Sequence, residues 1–385
     1  MNIKLFNKID KAGLDLFPEN YKAGEDITDY AGALVRSAPL GEVNFPDSLK
    51  AIARAGAGVN NIPTEKCAEK GIVVFNTPGA NANGVKELAV AALLLGSRDI
   101  AGGIEWAKTL IGAPDVAKAV EKGKSSFSGP EIAGKTLGVI GLGAVGGMVA
   151  NIAYSLGMKV MGFDPYITVK AAWGLSRAVA RANNYDELYA SCDYITLHVP
   201  SNPENRGMIG KEEFAKMKKG VRIINLSRGD LVNTADLKAA ISEGVVASYV
   251  TDFPDESLLA VKGVVCIPHL GASTPESEEN CAKMAVEQLT EYLENGNIRN
   301  SVNFPDIFQP RNTNYRVVVL HKNVPAMLGN ISSVLGADKV NIESLSNRSK
   351  GDYAVSLIDT DNPVSSAVAG HVGAISGVIR VILVK

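Results

Sequence analysis

Three short segments of this 385-residue chain each place one reactive side chain just past a run of apolar residues. They are Arg228 in NLSRGD, Glu256 in DFPDES and His269 in CIPHLGAS. Together the residue types suit removal of hydride from a secondary alcohol. That step needs a base working near neutral pH to take the hydroxyl proton, and neutral imidazole at His269 has the right acidity. Glu256 can hold the other ring nitrogen, fix the tautomer and stabilise the imidazolium, with Asp255 as the rival acid. Arg228 offers a planar fork for a carboxylate beside the reacting carbon and can polarise a ketone oxygen. Any one of these residues alone is ordinarily a surface or core side chain; their recurrence after successive buried runs assigns the chemistry.

A hydride needs an acceptor, and the stretch GLGAVG at 141–146 supplies a place for one. The apolar run KTLGVI precedes it, a helical pattern GMVANIAYSLG follows, and KVMGF then leads to Asp164. Strand, glycine turn, helix, strand and acid make the dinucleotide-binding unit. Gly141 allows the tight turn, Gly143 removes a side chain from the pyrophosphate's path, and Gly146 lets the helix, opened by Ala144 and Val145, pack against the strand. Asp164 lies 18 positions after Gly146, close to the roughly 20 expected for a ribose-binding acid. A carboxylate there repels a 2′-phosphate, so the expected cofactor is NAD rather than NADP.

The elements that position these residues follow from periodicity. Near the N-terminus IKLFNKI, GALVRSA, LKAIARAG and GIVVFNT alternate with helical stretches, and further buried strands read at 194–199, 221–227, 247–253 and 264–270. Strands alternating with helices imply parallel sheets covered on both faces. Residues 101–130 are polar and glycine-rich with few strand signals, and a helix is expected from Pro275 to Asn295, stopped by Gly296. After the proline-containing stretch 305–313, the order βαββαβ is the ferredoxin-like plan. The expected fold is therefore α/β, with two doubly wound, Rossmann-like domains and a C-terminal ferredoxin-like module. The expected division is a substrate-binding domain at 1–95 and 284–304, a nucleotide domain at 96–283, a linker at 305–313 and a small module at 314–385.

The motifs GLGAVG, NLSRGD, DFPDES and PHLGAST together resemble the D-isomer-specific 2-hydroxyacid dehydrogenase family over residues 1–304. The resemblance implies Arg228, Glu256 and His269 as the catalytic set. It also implies Asp252 near the nicotinamide carboxamide, with Thr251 as the alternative holder of that place because the acid motif is one residue short. His198 and Pro200 line the adenosine side, and Ser227 and Gly271 are further cofactor positions. The loop ARAGAGVNN binds the substrate acid in that family; here Arg54, the backbone of Ala57 and Gly58, and Asn81 are the expected contacts, since two N–H groups beside glycines form an anion nest. Ala144 stands where the family often has arginine, and Lys86 where a small residue is usual.

The segments HKNVPAMLGNISSVL and KVNIESLSNRS resemble the ACT module, an amino-acid sensor. With it the resemblance implies oxidation of a phosphorylated 2-hydroxy acid, 3-phospho-D-glycerate, to 3-phosphohydroxypyruvate at the entry to serine biosynthesis. It implies L-serine as effector at His321, Asn323 and Asn341, with Ala326 in place of a family glycine, and a homo-oligomer, because such modules take ligand between two copies. The alternatives are another 2-hydroxy acid such as glycerate or 2-hydroxyglutarate, and an NAD-responsive binding protein.

Bulk properties narrow the field. A formal net charge of −2 gives no basic field for nucleic acid. The longest apolar run, LAVAALLLG, is too short for a bilayer, and MNIKLFNKID lacks a signal-peptide pattern. Cys67, Cys192, Cys266 and Cys281 are scattered, without metal-ligand spacing, as expected of reduced thiols in the cytoplasm.

Overall fold

The computed structural model describes residues 1–384. The chain forms two compact units, one from Met1–Asn81 together with the segment beginning at Pro275, the other from Ala82–Thr274.

The first unit holds a parallel sheet of β1 (Asn2–Leu5), β2 (Lys22–Gly24), β3 (Gly32–Val35), β4 (Ala51–Arg54) and β5 (Val73–Phe75), ordered β2-β1-β3-β4-β5. The central strands read as unbroken apolar runs because both faces are covered. Leu34, Ala53 and Phe75 share a core with Ala285 and Leu289 of the helix Pro275–Asn295, while Val35, Ile52 and Val74 pack on the opposite face.

The second unit contains β6 (Thr136–Ile140), β7 (Lys159–Phe163), β8 (Val179–Arg181), β9 (Tyr194–Leu197), β10 (Val221–Asn225), β11 (Val246–Thr251) and β12 (Val264–Cys266). The order β12-β11-β10-β9-β6-β7-β8 reverses direction at β6, which places a crevice beyond the carboxyl ends of β6 and β9. The helix Ala82–Ser97 belongs here, because Ala89, Ala92 and Leu93 share a core with Leu137, Val139 and Val149. The units therefore divide at residues 81 and 82, earlier than the expected 95, and again at 274 and 275. The glycine-rich stretch after it folds as the helices Ile100–Lys108 and Val116–Gly123, neither of which buries a residue.

The C-terminal module is an antiparallel sheet of β13 (Tyr315–Lys322), β14 (Ile342–Lys350), β15 (Tyr353–Thr360) and β16 (Val378–Val384), ordered β14-β15-β13-β16. The helices Met327–Ala337 and Ser366–Gly373 cover one face through Val317, Val319 and Ile358. The other face, with Val318, Leu320, Val355 and Leu357, joins the core of Tyr292, Leu293 and Phe304, so the module is built into the first unit. Gly296 ends the long helix at φ 72°, and a Cβ there would meet Val318 Cγ2 at 2.3 Å. Glycine is needed both for the turn and for the close approach.

A buried ion pair fastens this joint. Arg316 and Asp359, both fully buried, form two charge-assisted bonds of 2.6 and 3.0 Å. Arg316 also donates to Asn295 O at 2.8 Å and Pro310 O at 3.0 Å, and Gln309 donates to Asp359 at 2.9 Å. Burial alone would raise the Asp359 carboxyl, but the bonds from Arg316 and Gln309 outweigh it and hold the group below its usual range. A depressed carboxyl stabilises the fold above its unfolded value, about pH 4, and that contribution fades as pH falls through the native value. Asp359→Asn leaves Arg316 uncompensated and should cost about 3–5 kcal/mol in urea unfolding at pH 7, with a smaller deficit in acid. An unchanged midpoint at pH 7 would contradict this.

Candidate active site

Three neighbouring strand ends build the site in the second unit. In the parallel ladder Asn225 pairs with Thr251 and Thr251 with Cys266, so β10, β11 and β12 finish level with one another. Arg228 lies three residues past the first end, Asp252 one past the second and His269 three past the third. The fully buried Asn225 holds the first of these loops by donating to Arg228 O at 2.8 Å and to the Tyr249 hydroxyl at 3.0 Å. Arg228 Nη1 donates to Ser227 O at 2.6 Å, and Ser227 Oγ donates to Leu197 O at 2.7 Å. Asn225 and Tyr249 were not singled out from sequence; an asparagine closing the apolar run VRII was the available signal.

Asp252 is 2 % exposed, and its Oδ1 has no hydrogen-bond partner among the described residues. Burial pushes its carboxyl above the usual range, partly offset by His269 and Arg228. Thr251, the alternative, is fully buried and accepts the Phe253 N–H at 3.1 Å. His269 is exposed, its ring packed edge-on against Phe253 with centroids 4.7 Å apart. Glu256 opens the short helix Glu256–Leu259, is exposed, and makes no bond to His269 among the described residues. Asp255 caps that helix through the Ser257 N–H at 2.8 Å. Asp252 thus lies within the electrostatic reach of Arg228 and His269, while Glu256 is not bonded to the imidazole.

The nucleotide turn lies beyond β6. Gly141 has φ 87°, and a Cβ there would meet His198 O at 2.6 Å. A Cβ on Gly146 would fall 1.9 Å from Gly141 O. At Gly143 nothing lies within 4 Å of that position, and no side chain caps the helix Ala144–Ser155, leaving its first N–H groups and positive end for an anion. Asp164 is oriented by the Leu142 N–H at 2.9 Å and the Tyr166 N–H at 2.8 Å. The open cradle, the uncapped helix and the partnerless Asp252 oxygen fit a dinucleotide, for which 141–146 would hold the phosphates, Asp164 the ribose and Asp252 the carboxamide. Desolvation pulls the His198 imidazole down to about 4, so this ring is neutral at working pH, and its Nε2 lies 3.0 Å from Thr196 Oγ1. Pro200 is exposed, and a Cβ on Gly271 would touch Val85 at 3.1 Å.

In the first unit, the loop after β4 is shaped by Arg54, whose guanidinium donates to Gly58 O and, at 3.0 Å, to Arg36 O. Asn76 Nδ2 donates to Ala57 O at 2.6 Å, and the Thr77 N–H donates to Gly56 O at 3.1 Å. The N–H groups of Ala57 and Gly58 find no acceptor among the described residues, as an anion nest requires. Asn81 ends the segment, half-buried.

In the C-terminal module, His321 is 2 % exposed and its ring contacts Lys322 O, Asn347 and Ser356 at 2.8, 3.3 and 3.1 Å. Asn323 donates to Gly351 O at 3.1 Å, and Asn341 donates to Asp361 at 2.6 Å. Ala326 has φ 63°, a left-handed conformation that glycine adopts without a Cβ penalty. No group of metal-ligating side chains and no helix long and apolar enough to cross a membrane occurs among the described residues.

Residues 103–271 match the model of the D-isomer specific 2-hydroxyacid dehydrogenase NAD-binding domain. The chain carries the NAD-binding domain of that family. The D-3-phosphoglycerate dehydrogenase of Methanocaldococcus jannaschii is 36 % identical over 291 residues, 74 % of this chain and 53 % of that protein. The Saccharomyces cerevisiae D-3-phosphoglycerate dehydrogenase 1 is 28 % identical over 93 % of this chain and 81 % of its own length. Among solved structures, the NAD-bound 3-phosphoglycerate dehydrogenase of Entamoeba histolytica superposes with a TM-score of 0.60 at 28 % identity, covering 79 % of this chain and 98 % of that one. The chain spans only a little over half the length of the archaeal relatives.

The raised Asp252 carboxyl has a stability consequence for the cofactor-free NAD-binding domain. The native state holds this proton more tightly than the unfolded chain, so the contribution is complete in acid and declines as pH rises through the interval up to the native value. Asp252→Asn removes that slope and should raise the unfolding temperature at pH 7 without cofactor. A variant that melts lower than wild type across pH 4–8 would contradict it.

Proposed function

We propose that this protein oxidises 3-phospho-D-glycerate to 3-phosphohydroxypyruvate with NAD. The level endings of β10, β11 and β12 carry the reading, because they bring a guanidinium, a buried carboxylate and an imidazole to the crevice expected for a nicotinamide. When bound, NAD supplies the acceptor for the hydride from C2. His269 takes the hydroxyl proton, and its T-shaped contact with the Phe253 ring limits how the imidazole turns. The field of Asp252 favours the imidazolium that results, and Glu256 is the proposed partner of the second ring nitrogen. Arg228 holds the carboxylate and draws charge from the developing ketone oxygen. The open N–H groups of Ala57 and Gly58, with Arg54 and Asn81, are assigned to the substrate's acid groups. The names of the relatives support the phosphorylated substrate over glycerate or 2-hydroxyglutarate.

NADH formation with 3-phospho-D-glycerate, glycerate and D-2-hydroxyglutarate tests the reading. A kcat/KM at least tenfold higher for the phosphorylated acid is expected, and Arg228→Gln should reduce it by about 100-fold or more, the loss of a charged, bidentate contact at about 3 kcal/mol. Equal turnover of all three acids, or full activity of the variant, would reject it. Binding of NAD without turnover of any 2-hydroxy acid would favour the binding-protein alternative.

The C-terminal module is assigned to sensing L-serine through His321, Asn323 and Asn341, and the protein to a homo-oligomer. Exposed apolar side chains on the two helices after residue 100 support self-association: Ile104 is 54 % and Val116 47 % exposed. Ile104→Glu should lower the molar mass seen by light scattering, and an unchanged mass would remove these helices from the interface.

A further inference from the structure

Two openings adjoin each other in the first unit, between the C-terminal module and the segment following the helix Pro275–Asn295. One is a cavity of about 1090 Å³, the other of about 400 Å³, and both are lined by Asn300, Asp306 and Arg348. They form one groove with Arg299, Arg348 and Lys350 as its bases and Glu287, Glu291 and Asp306 as its acids. Several of these are already engaged. Glu291 accepts the amides of Asn295 and Asn297 at 2.9 and 2.7 Å, and Lys350 donates to Ser301 O and Val302 O at 3.0 and 3.1 Å. Arg299, Arg348 and Glu287 make no hydrogen bond or ion pair among the described residues. The groove therefore offers guanidinium forks for a carboxylate and, at Glu287, a carboxylate without a hydrogen bond for an ammonium, its neighbour Lys283 being paired with Glu279. Its ionised side chains sum to zero, which fits a zwitterion better than a phosphate.

The back wall of the groove leads directly to the proposed acid-binding loop. Gln288 is 8 % exposed, accepts from Asn300 Nδ2 at 2.6 Å and donates to Asn76 O at 3.0 Å. The Asn76 N–H donates to Asn300 O at 3.3 Å, and its side chain donates to Ala57 O at 2.6 Å. A molecule touching Asn76 is thus one hydrogen bond away from the nest at Ala57 and Gly58, and one touching Asn300 is two away. Arg348 sits on β14, so the same molecule would bridge the module to the loop within a single chain.

We propose that this groove is an effector site for a free α-amino acid, whose carboxylate is held by Arg348 and Arg299 and whose ammonium is held by Glu287. It is separate from the position assigned to serine at His321, Asn323 and Asn341. Binding here is independent of the proposed reaction; the coupling to the loop rests on that reading.

The twenty standard amino acids, tested one at a time on the full chain by thermal shift and then calorimetry, examine the proposal. At least one should bind saturably, with Arg348→Ala weakening it tenfold or more and Asn323→Ala leaving it within twofold. Arg348 is exposed on an edge strand, so the ligand-free unfolding temperature of its variant should match wild type; Arg299→Ala provides the second test if it does not. The bound amino acid should change KM for 3-phospho-D-glycerate more than kcat. Absence of binding, loss through Asn323→Ala alone, or tighter binding of inorganic phosphate through Arg348 would overturn the assignment. Binding that leaves KM unchanged would overturn the coupling, and an inactive chain that still binds through Arg348 would locate the failure in the proposed reaction instead.

Discussion

The register of three parallel strands governs what the second unit can do. Asn225, Thr251 and Cys266 end their strands side by side, and the residues immediately beyond them carry a cation, a buried acid and an imidazole. A shift of one residue in any strand would turn its side chains to the other face. The register is protected by burial: Ile223, Ile224 and Val250 are fully enclosed, and Asn225 clasps both the Arg228 loop and Tyr249. The same strand ends place Asp252 where its carboxylate is deprived of water and left one oxygen short of a partner. Such an arrangement is costly in the empty protein and useful only with a ligand opposite it.

Much of this was legible in the amino-acid order. Asp164 and the three glycines of the turn are readable because each answers a separate steric or electrostatic demand, and the positive φ at Gly141 and the crowding at Gly146 show two of those demands directly. Long apolar strands were readable for the same reason that they are buried. The strands KAG at 22–24 and VAR at 179–181 were not, since three-residue edge strands carry no periodicity. The helices at 100–108 and 116–123 escaped because they are short and lie among glycines, Gly102, Gly103 and Gly112, although each carries apolar residues that the fold leaves exposed, Ile104 and Val116 among them.

The side chains beyond the strand ends were harder to rank. The family resemblance favoured Glu256 over Asp255 as the partner of His269. In the structure Asp255 is engaged as a helix cap, Glu256 is exposed, and Asp252 is the acid that feels the imidazole. Desolvation makes that difference, and linear order does not report it. The attachment of the C-terminal module was hidden for a related reason. Alternating residues of YRVVVLH are apolar on both faces, which is consistent with helices on one side but does not reveal that the other side continues the core of the first unit. The Arg316–Asp359 pair, bonded to the buried Gln309 and to Pro310 O, turns an expected linker into a fixed joint.

The central claim is that His269 is the proton acceptor beside a bound nicotinamide. Chemical rescue tests it most directly: NADH formation from 3-phospho-D-glycerate by His269→Ala, with and without added imidazole, alongside calorimetric titration of NAD. The account predicts retained NAD binding, turnover reduced at least 100-fold, and partial recovery with imidazole that follows its neutral form as pH is raised. Turnover at the wild-type rate without imidazole would contradict it.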